Sequence, residues 1–241
     1  MNFDMFGAVN LTAIAVVEPA IWILSSGLDP ARQRSLAYLA GGWLALVICL
    51  AAAGVFSLPG AGTPAIGVAV TLPLIAVLAA RRRWGTLRGL AEGTPLPVLV
   101  GLNAGRVLGV QFVLLYAMGR LPPAFALSAG LGDILVGVLA VPLALAIRRG
   151  ATGWQRYALA WNALGTLDLV AAVTLGVGSA PGFPLRFIFQ QPDTGAMGSL
   201  PWLLIPGFLV PLYLITHLFI FARLLGARAP RGAQSLSSVA A

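Results

Sequence analysis

Lysine is absent: all fifteen basic residues are arginine, so no side-chain amine can form a Schiff base. Cysteine occurs once, at Cys49, and histidine once, at His217. One of each excludes an intramolecular disulfide, a cysteine-based metal cluster, a three-histidine zinc site and, within one chain, a haem held by two histidines. Charge is scarce, at 9% of residues with seven acids, while 59% are hydrophobic. Soluble domains carry about 25% charged residues. A chain of 241 residues cannot hide that much apolar area in one aqueous core, so lipid must be its outer solvent.

Crossing the hydrocarbon takes about 20 apolar residues. Seven segments come close, near 5–26, 35–57, 63–80, 95–118, 122–147, 155–178 and 200–224. They predict an all-α integral membrane protein with a single domain over 1–227 and a disordered cytoplasmic tail over 228–241. The third segment is short and carries Thr63, Pro64, Gly67, Thr71 and Pro73, so a six-helix plan with a re-entrant third segment is the alternative. The first stretch lacks a basic leader before Glu18-Pro19 and reads as a retained helix rather than a signal peptide. Cys49, alone in an apolar run, reads as a small packing residue.

Arginine sets the expected direction. Twelve of the fifteen fall in alternate gaps, from Arg32 and Arg34 through the Arg81–Arg83 run to Arg223 and beyond; Arg120 and Arg186 lie on the other side, and Arg106 is inside a span. The basic side is the cytoplasmic one, which predicts an N-terminus outside, a C-terminus in the cytoplasm, and the cytoplasmic membrane of a bacterium-like cell. Charges placed this way orient a chain in lipid and do not form a nucleic-acid face. The connection over 179–199, with Phe183, Phe187, Phe189 and Arg186, reads as an interfacial segment or a lid over an outward cavity.

Gly101, Gly105 and Gly109 recur every four residues, predicting a smooth stripe for packing within the bundle or for a homodimer. The run from Ser35 to Ser57 aligns without gaps on Tyr157 to Ser179, and each follows an acidic helix, with Glu18 or Asp133. Three helices, a linker helix and three more resembles the plan of sugar-efflux and heptahelical transporter families. The outline also invites comparison with retinal proteins, but covalent retinal requires the lysine this chain lacks.

Glu18, Asp133, Asp168 and Arg106 fall inside predicted spans. A charge there costs at least about 2.5–3.5 kcal/mol, so these groups should face the bundle interior. Counting along alternating helices puts Arg106, Asp133 and Asp168 near mid-depth, Glu18 slightly below, and Asn162 and His217 lower still, which predicts two polar layers. Asn103 is three residues before Arg106 and should share its face; Tyr213 is one turn before His217. A guanidinium can pair one carboxylate by charge and geometry, here Asp133 or Asp168. Three acids against one arginine leave a titratable surplus suited to a proton or a small polar or cationic ligand.

The string Gly130-Leu131-Gly132-Asp133 resembles the glycine-flanked aspartate motif of intramembrane aspartyl proteases, which would imply a hydrolytic pair with Asp168. The partner here reads Leu167-Asp168, without the tyrosine that family places before its aspartate and without its Pro-Ala-Leu string. Phosphate-binding, dinucleotide and zinc-protease motifs are missing. The expectation is therefore a small-solute or proton-coupled transporter, or a heptahelical ligand-binding protein, with no resident cofactor. The alternatives are an accessory membrane subunit with a buried ion pair and the aspartyl hydrolase.

Overall fold

The structure, a computed structural model, describes residues 2–226; the tail expected over 228–241 lies outside them. The described residues are helical and contain no strand. Seven helices are long and apolar enough to cross a membrane: Phe3–Leu24, Pro30–Ala52, Gly62–Ala80, Leu96–Ala117, Pro123–Arg148, Trp154–Gly178 and Ile205–Gly226. The third is a full-length helix, α3 (Gly62–Ala80), with Pro73 in its interior, so the re-entrant alternative is dropped.

Helix ends follow local chemistry. In α1 (Phe3–Leu24) the Asn2 side chain accepts from the Asp4 backbone N–H at 2.8 Å. Asp29 caps α2 (Pro30–Ala52), with Pro30 in its first turn, where a missing N–H costs nothing. Hydrogen bonding from the Arg32 backbone N–H, aided by the Arg32 guanidinium, holds the exposed Asp29 carboxyl below the usual carboxylate range. A short amphipathic helix, α4 (Gly85–Gly93), follows the arginine run; no sequence expectation covered it. Arg223 closes its far end by donating to the carbonyls of Ala91, Glu92 and Thr94 at 2.9–3.0 Å.

The fourth span is broken. It comprises α5 (Leu96–Leu102), a 3-10 segment over Asn103–Gly109, and α6 (Val110–Ala117). Side chains in a 3-10 helix eclipse every three residues, and the residues buried in this segment are Asn103, Arg106 and Gly109. The expected Gly101–Gly105–Gly109 stripe is thereby corrected. An added Cβ at Gly105 would meet Glu18 and Tyr213, one at Gly109 would meet Asp133, and one at Gly101 would meet nothing. Gly105 and Gly109 serve packing within the chain and point to different neighbours.

Helices α7 (Pro123–Arg148) and α8 (Trp154–Gly178) pack along each other, and α7 also lines the whole fourth span. The seventh span starts as a π-helical turn, Ile205–Leu209, and continues as α9 (Val210–Gly226). It begins later than the expected residue 200: Pro201 and Pro206 lack the N–H an α-helix needs there, and Trp202 is tucked inward to accept contacts from Phe3 and Gly7. Half or more of the fourth and seventh spans is buried (50% and 56%), against 11% for α2 and α3, so those two spans form the centre. Cys49 faces outward on α2, which corrects its reading as a packing residue.

Two large apolar clusters fill the bundle, and a small third one joins Val47, Phe56, Ala69 and Leu203. One of the large two, toward the end carrying the N-terminus, includes Leu11, Phe112, Phe125, Leu169 and Trp202. The other, toward the opposite end, includes Trp22, Leu99, Val136, Trp161 and Ile220. The polar side chains of the middle layer lie between them.

Close crossing of α7 and the 3-10 segment depends on Gly130 and Gly109, since a Cβ on either would come within 2.9 Å of the other's carbonyl oxygen. Overpacking a tight contact costs about 1–3 kcal/mol. Gly130→Leu should therefore lower the thermal unfolding temperature in detergent, whereas Gly101→Leu, which points into open space, should leave it unchanged. Equal effects of the two would contradict this packing.

Candidate functional site

Arg106 projects from the 3-10 segment into the centre of the bundle, its side chain fully buried. Its Nε donates to Asp133 Oδ1 on α7 at 2.7 Å, and one terminal nitrogen donates to Asp168 Oδ2 on α8. The other terminal nitrogen donates to the Gly165 carbonyl at 3.2 Å and meets His217 Nε2 on α9 at 3.1 Å. Sequence reasoning expected one aspartate as partner; the guanidinium takes both, because its fork offers donors in two directions.

A guanidinium can only donate, so His217 Nε2 must accept and the imidazole proton sits on Nδ1. That nitrogen donates to Asn162 Oδ1 at 2.7 Å, and Asn162 Nδ2 returns a bond to the His217 carbonyl at 3.1 Å. Trp161 lies beside the imidazole at 5.4 Å between ring centroids. The two polar layers expected from depth counting are thus one connected network. The extended arginine side chain spans the turn of helix that separates them.

Glu18 and Tyr213 form a neighbouring pair, with the phenol donating to Glu18 Oε1 at 3.1 Å. The Tyr213 ring lies 5.9 Å from the Arg106 guanidinium carbon. Asn103 shares the Arg106 face but does not touch it; its amide donates to Leu99 O at 3.0 Å and Thr216 Oγ1 at 3.2 Å. Thr216 in turn donates to the Tyr213 carbonyl at 2.8 Å. Neither Thr216 nor the Gly165 carbonyl was foreseen. A carbonyl acceptor has no sequence signature, and a single threonine within an apolar run carries none for its partner.

Glycine makes room for each charged group. A Cβ at Gly132 would collide with the Asp168 carboxylate, one at Gly165 would lie 2.5 Å from the His217 ring and 3.1 Å from Arg106, and one at Gly137 would lie 2.7 Å from the Val107 backbone. Close backbone approach lets short acidic side chains reach the guanidinium in place of water.

A cavity of about 350 Å³ reaches this network from the end carrying the N-terminus. One face each of α3 and α8 walls it, residues around 180–182 and 194–198 line its outer end, and Phe112, Phe125 and Asp133 lie along its depth. Its lining is almost wholly apolar apart from the Asp133 carboxyl and a few hydroxyls. Asp133 and Asp168 side chains keep 14% and 10% exposure. Asp133 Oδ2 accepts no hydrogen bond from the described residues. A second void of about 20 Å³ lies between Asp133, Arg106, Gly105 and Tyr213, room for roughly one water.

The family model described as "Domain of unknown function (DUF8737)" matches residues 63–225, more than half of the chain and all of this site except Glu18. No curated protein and no solved structure matches the chain.

The bridging geometry sets a requirement that charge alone does not. Arg106→Lys keeps the charge but replaces the fork with a compact ammonium. It should lose at least one charge-assisted bond and destabilise the protein by about 1.5–3 kcal/mol, seen as a lower unfolding temperature. Wild-type stability in this variant would contradict a two-carboxylate bridge.

Proposed function

Given that the chain belongs to the DUF8737 family, whose description names no activity, we propose that it is a small-solute-binding bundle of transporter plan, coupled to protons at its central acids. One observation carries the reading: the Asp133 carboxyl is at once a wall of the cavity and a partner of Arg106. A solute arriving there meets the group that holds the fourth, fifth and sixth spans together. Irregular backbone at mid-depth adds support, since broken helices in membranes occur where they line a cavity or act as hinges. Here the 3-10 segment bears Arg106, and the π turn places Pro206 on the cavity wall.

In this mechanism a proton or solute on Asp133 or Asp168 weakens its bond to Arg106. The helices around Pro73, Pro206 and Pro211 then shift between two packings. His217, Tyr213, Glu18 and Asn162, on the far side of the guanidinium, would hold it once an aspartate lets go. The arginine-rich loops favour an outside N-terminus in a cytoplasmic membrane, so the cavity would open outward, and two three-helix units joined by the Arg106-bearing span suit such rocking. An accessory scaffold has no use for the cavity. An aspartyl hydrolase needs its carboxylates to share a proton, whereas Arg106 is interposed between these two.

With Cys49→Ser as background, Val173→Cys on the cavity wall should react with a membrane-impermeant thiol reagent added outside intact cells. The rate should change with pH by about fivefold or more, the lower range of coupling energies, and Asp133→Asn should abolish the change. Reaction only from the cytoplasmic side would refute the orientation, and a pH-independent rate would refute the coupling.

A further inference from the structure

The cavity's chemistry is one-sided. Four of the five N–H donors of Arg106 are already directed to Asp133, Asp168, the Gly165 carbonyl and His217, and Arg106 does not line the cavity. The one charged residue in its lining is Asp133, whose Oδ2 accepts no hydrogen bond from the described residues. Around that carboxyl, Arg106 contributes one positive charge, and Asp133 and Asp168 contribute two negative ones, so the trio carries a surplus negative charge when both are ionised. His217, with Nε2 accepting from the guanidinium, adds no positive charge.

One aromatic ring, Phe112, shares the small void beside Asp133, and a second, Phe125, lies about two helical turns farther out along α7. Phe112 and Phe125 meet edge to face, their centroids 5.3 Å apart and their planes at 72°, and both line the cavity with Asp133. Ring faces attract cations, most strongly where water is excluded. The remaining wall, including Val70, Leu169 and Ile205, is apolar apart from Ser57, Thr63 and Thr194. A carboxylate with a phenylalanine close by, at the deep end of a largely apolar chamber, is complementary to one kind of solute.

We propose that the cavity takes a monovalent organic cation with an apolar body, its ammonium-type head held by Asp133 near Phe112 and its body reaching outward toward Phe125. This rests on the reading of the cavity as a solute site and adds the substrate class. An anion would face the Asp133 carboxylate with Arg106 outside the lining, and an uncharged apolar molecule would leave the surplus charge unmatched.

The test uses full-length protein in zwitterionic nanodiscs and three probes of similar shape: benzyltrimethylammonium, its uncharged near-isostere benzyl dimethyl carbinol, and phenylacetate. Binding is read directly and as protection of Val173→Cys, in the Cys49→Ser background, from alkylation. The cation should bind saturably and protect, and Asp133→Asn should weaken it by about tenfold or more, as expected for loss of a charged partner, while carbinol binding persists. Phe112→Leu, which keeps apolar bulk, should weaken the cation more than the carbinol and serves should Asp133→Asn fail to fold. Preference for the carbinol or phenylacetate would overturn the substrate class while leaving a solute site in place. Absence of protection by all three would overturn both.

Discussion

Four membrane-spanning segments meet at one guanidinium. Arg106 reaches from the fourth to Asp133 on the fifth, to Asp168 and the Gly165 carbonyl on the sixth, and to His217 on the seventh. Ionised groups at mid-depth cost several kcal/mol each when left alone, so none of these groups can be withdrawn without exposing the rest. The arrangement therefore fixes how four helices sit.

The backbone is shaped around that constraint. Seven residues in 3-10 form rise about 14 Å, against about 10.5 Å in an α-helix, and their three-residue repeat puts Asn103, Arg106 and Gly109 on one buried ridge. Glycines at 109, 130, 132, 137 and 165 bring α7, α8 and α9 close enough for short acids and an imidazole to touch the arginine. Apolar clusters above and below the layer keep its dielectric low, which strengthens each bond and raises the penalty for an unmatched charge. The cavity runs through the upper cluster, and past Phe56 of the small third one, to Asp133.

Much of this was legible in the sequence because its causes are local or additive. Apolar run length located all seven helices, and the rarity of intramembrane charge singled out Arg106, Asp133, Asp168 and Glu18. Depth counting matched the three central groups but separated His217 from them, since it tracks Cα height and ignores the reach of an arginine. The glycines at 101, 105 and 109 misled because a four-residue spacing was read at α-helical period where the chain adopts a three-residue one. Helix α4 and the cavity between α3 and α8 depend on tertiary packing, for which no residue pattern stood as a signal, whereas the late start of the seventh span had one in Pro201 and Pro206, outweighed by the apolar run around them.

The central claim is that both aspartates are coupled to the same arginine, and paired double-mutant cycles on stability measure it most directly. Arg106→Met should be partly rescued by Asp133→Asn and, independently, by Asp168→Asn, with coupling energies of about 0.5–3 kcal/mol in each cycle. Additive effects in either cycle would contradict the bridge, and with it the account of how a solute at Asp133 could move the helices.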